Sequence, residues 1–416
     1  MRCLSSLIAV PLVLGAVSCR KESSTQPGPP VATPETAATE TTTADEEVND
    51  KSANIHEEVA AAAKDGDREK LLRLWSTGAL VDELVSRGYL GEPDAEAKSR
   101  AKAAIDEHSD LLASYLEKRI GESWQPYMTS VTTSGLQVSI YRTRQEDGSR
   151  DTVMRFWYRS HEGRTQLVDC EDMTLGYRAS TLLLGLVAPA ELSWRQPLLD
   201  LMAKISQAGS ESTFVVAAAV GDEADALIAA NPPDELKAFA YKLKAERLLM
   251  EGKPADALKA IKEFAAASPG SPWAEFLRGM ALMYLHREFE AITAFNSYGK
   301  LAGWDATAHD YIAWCHYMEG NEKSAIEHAK QGLLLNKDMT GCLLTMVCSS
   351  KPAEIAQLGS YFKNTFDSEQ TYAYVLDETM DMDDPGVPKA VFSLMETELP
   401  KSGLLEDYRK KVQAID

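Results

Sequence analysis

The spacing of apolar residues changes twice along the chain. Between residues 54 and 120 apolar positions recur three and four apart, as on one face of a helix. Pro93-Asp94 opens a long helix in which Ala101, Ile105, Leu112 and Leu116 share a face, and which stops before Gly121. The period then falls to two. Leu136, Val138 and Ile140 alternate with Gln137, Ser139 and Tyr141, the pattern of a half-buried strand. Asp147-Gly148 marks a turn, after which Met154, Phe156 and Tyr158 alternate with Arg155, Trp157 and Arg159. His161-Glu162-Gly163 turns again, and 167–175 reads as a further strand. These elements form a three- or four-stranded antiparallel meander whose apolar face packs on the preceding helices and on an apolar helix at 179–187. Residues 54–208 are therefore expected to be a small α+β domain.

From residue 209 the helical spacing returns, and a longer period rides on it. Ala257, Ala291 and Ala325 stand 34 residues apart, followed by Leu258, Ile292 and Ile326. Twelve residues upstream of each is another small residue, Ala245, Gly279 or Ala313. Two antiparallel helices cross closely only where neither carries a bulky side chain. A period of 34 with small residues at both offsets marks stacked helix–turn–helix units.

On these residues, 238–338 resembles three tetratricopeptide (TPR) repeats. The third has Ala313, Gly320-Asn321 in its turn, Ala325-Ile326 and closing Gly332-Leu333. The first has Ala245, Gly252, Ala257-Leu258, Phe264 and a terminating Pro269. The second keeps Gly279, Ala291 and Phe295, with His286 where its sisters have glycine. A shortened unit with Gly221-Asp222 and Ala226-Leu227 precedes them, ended by Pro232-Pro233. The TPR-like solenoid is taken as 209–350 and a C-terminal helical cap as 351–416, giving an α+β fold class overall. The resemblance implies a helical-hairpin solenoid that presents a concave surface to another protein; it implies no chemistry.

The N-terminus carries an export address. Met1-Arg2 is a minimal positive end, and the apolar run from Leu4 to Val17 is short for a membrane span. Residues 1–19 end in Ala16-Val17-Ser18-Cys19 and resemble a bacterial lipoprotein signal, relaxed in that Ala16 replaces the usual leucine. The resemblance implies an acylated Cys19, and Arg20 after it implies the outer membrane in a Gram-negative cell. Residues 20–53 are rich in Thr, Ser, Pro and acid, with no basic residue between Lys21 and Lys51. With no apolar face to offset ordering entropy, they form a disordered tether spanning ~30 Å. The net charge of −20, from 43 basic and 63 acidic residues, repels phosphate backbones and argues against nucleic-acid binding.

A search for chemistry returns little. H-E-x-x-H, P-loop, dinucleotide-binding and nucleophile-elbow motifs are all absent from the sequence. His309 and His316, with Asp305 and Asp310 nearby, lack metal-ligand spacing and read as solvated repeat positions. Asp169, Glu171 and Asp172 read as a charged solvent face on a strand, which Arg155, Arg159 and Arg164 could pair across the sheet. Cys170, Cys315, Cys342 and Cys348 form no C-x-x-C pair; they read as buried thiols, with one disulfide among the last three left open. No enzyme activity, cofactor or metal is expected.

The groove positions of the repeat family, carried onto this sequence, hold the remaining candidate site. They fall on Phe239, Lys242, Glu246, Leu249 and Met250, then Trp273, Phe276, Met280, Met283 and Tyr284, then Thr307, Asp310, Trp314, Tyr317 and Met318. Ten of these fifteen are aromatic or methionine, against 46 such residues in the chain of 416, so the groove is suited to apolar anchors of a protein or peptide. Glu246 and Asp310 disfavour an acidic C-terminal tail as ligand. The sequence leaves open whether the groove is free or filled by 352–416 or by the α+β domain. A second reading places a small-ligand pocket in the α+β domain, with the repeats as support.

Overall fold

The structure, a computed structural model, describes a few positions between 55 and 62 and then residues 65–117, 123–131, 136–144, 151–161, 164–174, 176–208 and 213–415. The export signal with Cys19, the tether 20–53 and the turns at Asp147-Gly148 and Glu162-Gly163 lie outside the described residues. Two units are distinguished, Asn49–Tyr311 and one containing Ile312–Asp416.

The first unit opens with short helices, each capped by a side chain that satisfies an otherwise orphaned N–H. Asp67 caps α1 (Arg68–Leu74), Ser76 caps α2 (Thr77–Ser86) and Asp94 caps α3 (Ala95–Glu107). The single long helix expected after Pro93 is in fact two. His108 closes α3, its Nδ1 3.1 Å from the Ala104 carbonyl, and α4 (Asp110–Glu117) restarts after Ser109. Ala101, Ile105, Leu112 and Leu116 are nevertheless all buried in one core, because the break keeps their faces aligned.

The sheet is an antiparallel meander in the order β1-β2-β3-β4-β5, with β1 Ser123–Val131, β2 Gln137–Arg144, β3 Asp151–His161, β4 Arg164–Asp172 and the two-residue β5 Tyr177–Arg178. The 179–187 segment forms a 3-10 turn (Ala179–Leu183) followed by α5 (Leu184–Val187). Both sheet faces are covered, whereas the alternation suggested one. Tyr141, Met154, Phe156, Tyr158, Leu167 and Cys170 join the main core with α1–α4. Val138, Trp157 and Val168 point the other way and cluster with Leu136 and Ala79. Ser139 is buried too, bonded to the Tyr158 hydroxyl.

After α6 (Arg195–Ala208) the helices pair. The shortened unit is α7 (Thr213–Ala219) with α8 (Gly221–Ala229). Three helical hairpins follow. They are α9 (Asp234–Met250) with α10 (Pro254–Ala267), α11 (Pro272–Tyr284) with α12 (Glu288–Ala302), and α13 (Ala306–Met318) with α14 (Glu322–Leu335). Ala245, Ala257, Gly279, Ala291, Ala313 and Ala325 are all buried, as close helix crossings require.

The turns share one device. Gly252, His286 and Gly320, each 34 residues from the next, adopt φ of 68°, 55° and 74°. The following amide bonds back five residues in a Schellman cap: Lys253 to Leu248, Arg287 to Leu282 and Asn321 to His316. The second hairpin thus forms with a histidine in a conformation that favours glycine. In the second unit the chain continues through α15 (Thr340–Cys348), α16 (Gly359–Asn364), α17 (Ser368–Thr379), α18 (Gly386–Glu398) and α19 (Leu405–Gln413), packed on a core that includes Phe362, Tyr372, Val391 and Met395.

Candidate functional site: the inner face of the repeats

In the first repeat the groove positions are covered by the chain itself. Phe239, Lys242, Glu246 and Leu249 are buried on α9, and Met250 at its end is exposed. Tyr177 of β5 meets the Phe239 ring edge-on, with centroids 5.1 Å apart. Gly176 lies on the Lys242 stem: a Cβ there would stand 2.5 Å from Cδ, and its φ is +75°. Space and backbone both require glycine. Beneath it the Lys242 ammonium bonds Glu246 Oε1 at 2.7 Å, and the Trp273 indole donates to the same oxygen at 3.0 Å. Glu246 Oε2 is buried without a hydrogen-bond partner.

Beside this patch sits an ionic cluster that joins α2, the sheet and α9. The Arg87 guanidinium donates to Glu235 Oε2 at 2.5 Å and to Asp169 Oδ2 at 3.2 Å, and the Tyr89 hydroxyl donates to Glu235 at 2.8 Å. Arg178 pairs with Glu235, lies 3.6 Å from Glu83, and stacks 3.6 Å over the Trp157 ring. Burial alone would raise the Glu235 carboxyl, but Arg178, Arg87 and the Tyr89 hydroxyl overcome it and hold it down at about 2. Burial also works against the Arg87 charge, yet Glu235, Tyr89, Asp169 and Glu83 keep it firmly protonated. For Glu171 burial wins, pushing its carboxyl up against the pull of Arg155 and Arg178.

A second clamp reaches the end of the second repeat. Arg142 of β2 donates to the Ala302 and Gly303 carbonyls, both at 2.9 Å, and to Asp305 at 3.2 Å. Those carbonyls lie at the C-terminus of α12, where a cation also meets the helix dipole. Asp305 accepts from the Tyr298 hydroxyl at 2.5 Å and caps α13 through the Ala308 amide at 2.6 Å.

Of the second repeat's groove positions, Phe276, Met280 and Met283 are buried, while Trp273 and Tyr284 are half-buried. Trp273 stacks on Phe276 with centroids 4.6 Å apart, and Phe276 contacts Phe295, Tyr298 and Tyr311. In the third, Thr307, Asp310, Trp314 and Tyr317 are half-buried and Met318 is exposed. Trp314 and Tyr317 lie 5.3 Å apart, centroid to centroid.

The acids on β4 do not form a solvent face. Asp169 and Asp172 are fully buried, on opposite faces of the sheet: Asp169 beside Trp157, where Arg87 of α2 and Ser180 of the 3-10 turn meet it, and Asp172 beside Met154 on the face of the main core. Asp169 accepts from the Cys170 and Ser180 amides and from the Ser180 hydroxyl. The expected cross-strand pairing holds for Arg155, which faces Glu171 in register and lies 3.5 Å from it. Arg159 stands opposite Gln166 instead, and the Arg164 side chain is outside the described residues. His309 and His316 are half-buried rather than solvated; His309 stacks on Trp304 and His316 on His328, and burial lowers both from the usual imidazole value. Cys170, Cys315 and Cys342 are buried, whereas Cys348 is half-buried. Among the described residues no group of three metal-ligating side chains gathers, and no helix is long and apolar enough to cross a membrane.

Sequence reasoning missed Arg87, Glu235, Arg178 and Arg142. The one signal that could have found the cluster is Trp157, a large aromatic on the charged face of its strand beside Arg155 and Arg159.

No family model matches the chain, and no curated protein matches it. Among solved structures it is similar to MamA protein, with a TM-score of 0.34 and 16% identity over 43% of this chain and 95% of that one. It is also similar to the APC/C hetero-tetramer Cut9-Hcn1, with a TM-score of 0.34 and 15% identity over 56% of this chain and 52%, about half, of the matched one.

Proposed function

We propose that this chain is a non-enzymatic interaction protein of the cell envelope, anchored through a lipid on Cys19, whose repeats hold a partner protein in a scaffolding or assembly role. The observation that carries the reading is the run of three 34-residue hairpins ending in a unit whose groove positions Trp314, Tyr317 and Met318 keep surface available. Aromatic anchors of this kind dominate protein interfaces, each worth about 2 kcal/mol or more. Anchoring rests on the Ala16-Val17-Ser18-Cys19 signal and the acidic tether, which holds the folded part off the bilayer.

The test is cross-linking in the native envelope with the full chain and a Trp314→Ala/Tyr317→Ala variant. Loss of about 2 kcal/mol weakens binding about thirtyfold, so cross-linked partners should disappear from the variant while its unfolding midpoint stays put. A variant that retains every partner overturns the groove assignment. Cys19→Ala should abolish incorporation of labelled fatty acid; a protein still acylated removes the anchor from the proposal.

The alternative, a small-ligand pocket in the α+β domain, is disfavoured by packing. The cleft lined by Arg155, Glu171, Tyr177, Arg178 and Phe239 has about 30 Å³ of accessible space, room for a few water molecules at most.

A further inference from the structure

We propose that the segment Gly176-Tyr177-Arg178 is an internal ligand of the first repeat, a displaceable cover over an inner face built to take an extended small–aromatic–basic segment. The three residues each meet a matching feature of α9. Gly176 lets the backbone lie on the Lys242 stem, where any side chain would collide. Tyr177 sets its ring against Phe239. Arg178 pairs with Glu235. Their two-residue strand is extended and adds to β4 through Glu171 and Asp172, so the rest of the sheet presents it to the helix.

Two observations make the cover displaceable. Its anchor at Arg178 is an ion pair with Glu235, whose two charges regain water on opening and so offset part of the cost. Beneath the cover Lys242 and Glu246 are fully buried, and Glu246 Oε2 has no hydrogen-bond partner. A buried carboxylate oxygen left unpaired disfavours closure, since exposure to water or to a donor from a competing segment satisfies it. The surface uncovered would combine Phe239, Trp273 and the Lys242–Glu246 pair, which is the chemistry of a peptide groove rather than of a core. A competing partner is thus an extended segment with a small residue, an aromatic and an arginine in that order. The biological use of opening rests on the partner-binding reading above, but opening itself is measured with no partner present.

The chain contains its own reporters. Lys242 is fully buried under the cover, and Cys170 is fully buried in the main core. Local opening exposes Lys242 to amine-reactive labelling and leaves the Cys170 thiol silent; unfolding exposes both. In the full chain, Tyr177→Ala and, separately, Glu235→Gln should raise the Lys242 labelling rate about tenfold or more, the population shift expected when one anchoring contact is lost. Maleimide modification of Cys170 should not change. In the Tyr177→Ala chain, a peptide with the sequence of residues 172–180 should restore Lys242 protection, and the same peptide with its tyrosine replaced by alanine should not. The proposal is overturned if Lys242 stays unlabelled in both folded variants, or if Lys242 and Cys170 always react together. Failure of the intact peptide to protect removes the ligand assignment. Persistence of this pattern in a chain whose Trp314→Ala/Tyr317→Ala variant keeps all its partners would sink the groove reading alone.

Discussion

Gly279 on α11 and Phe295 on α12 touch where the helices of the second repeat cross: a Cβ on Gly279 would stand 2.6 Å from Cε1 of the phenyl ring. The ring is itself buried and stacked on Tyr311, with centroids 5.3 Å apart, so it has nowhere to retreat. Gly279→Ala should therefore destabilise the first unit by about 1–3 kcal/mol through overpacking, despite the better helix propensity of alanine. Urea unfolding of the variant checks this. Adding Phe295→Leu should recover part of the loss; no recovery would mean that the crossing is not what the glycine serves.

His286→Gly should do the opposite. The histidine occupies a left-handed conformation that its two counterparts fill with glycine, and a side chain there costs about 1–2 kcal/mol. Replacing it should raise the unfolding midpoint by the equivalent of up to about 1 kcal/mol once the extra freedom of the unfolded glycine is counted. His286 Nδ1 lies 3.6 Å from the Glu288 carboxylate. A variant that is less stable than wild type would show that this pairing outweighs the backbone strain.

The acid limb of stability should depend on Glu235. Its carboxyl is held at about 2, below the ordinary value of about 4.3. A depressed carboxyl stabilises the fold above its unfolded value, and that contribution is lost as pH falls through its folded value. The side chain is 31% exposed, which limits the size of the effect. Between pH 5 and pH 2 the Glu235→Gln variant should lose stability less steeply than wild type, followed by tryptophan fluorescence. Identical slopes would remove Glu235 from the account of acid unfolding.

Arg142 is not replaceable by lysine. Its planar guanidinium reaches two carbonyls and a carboxylate at once, a geometry that an ammonium on a flexible stem does not reproduce. Arg142→Ala leaves the buried Asp305 without its cation and should cost about 3 kcal/mol. Arg142→Lys should recover less than half of that in thermal unfolding. Full recovery would reduce the clamp to a simple charge pair.

The repeats were legible because steric demand recurs at a fixed interval, and Ala245, Gly279 and Ala313 obey it in every copy. The sheet was legible where one face is apolar, as at Met154, Phe156 and Tyr158. Strand β1 was not, because Pro126 and the register shift between Pro126 and Met128 break its alternation. The burial of Asp169 was hidden for a different reason. Its neutralising partner Arg87 lies 82 residues away, and Arg87 meets Glu235 across 148. Such pairings leave no local pattern. The candidate site followed the same division: the groove positions could be placed by period, but their cover could not, since Gly176-Tyr177-Arg178 carries no periodic signal.

The grip of Arg142 on Asp305 spans 163 residues of chain. Solenoids ordinarily assemble from neighbour to neighbour, so a nascent array can consolidate as it leaves the ribosome. This one cannot finish that way. When β2 emerges, the carbonyls and carboxylate that will receive its guanidinium have not yet been synthesised, and Arg142 must wait in water for them. Long-range pairing of this kind slows folding and prolongs the life of incomplete species. Until Asp305 is made, the unfinished sheet therefore stays open to any other chain that can offer its arginine a carboxylate.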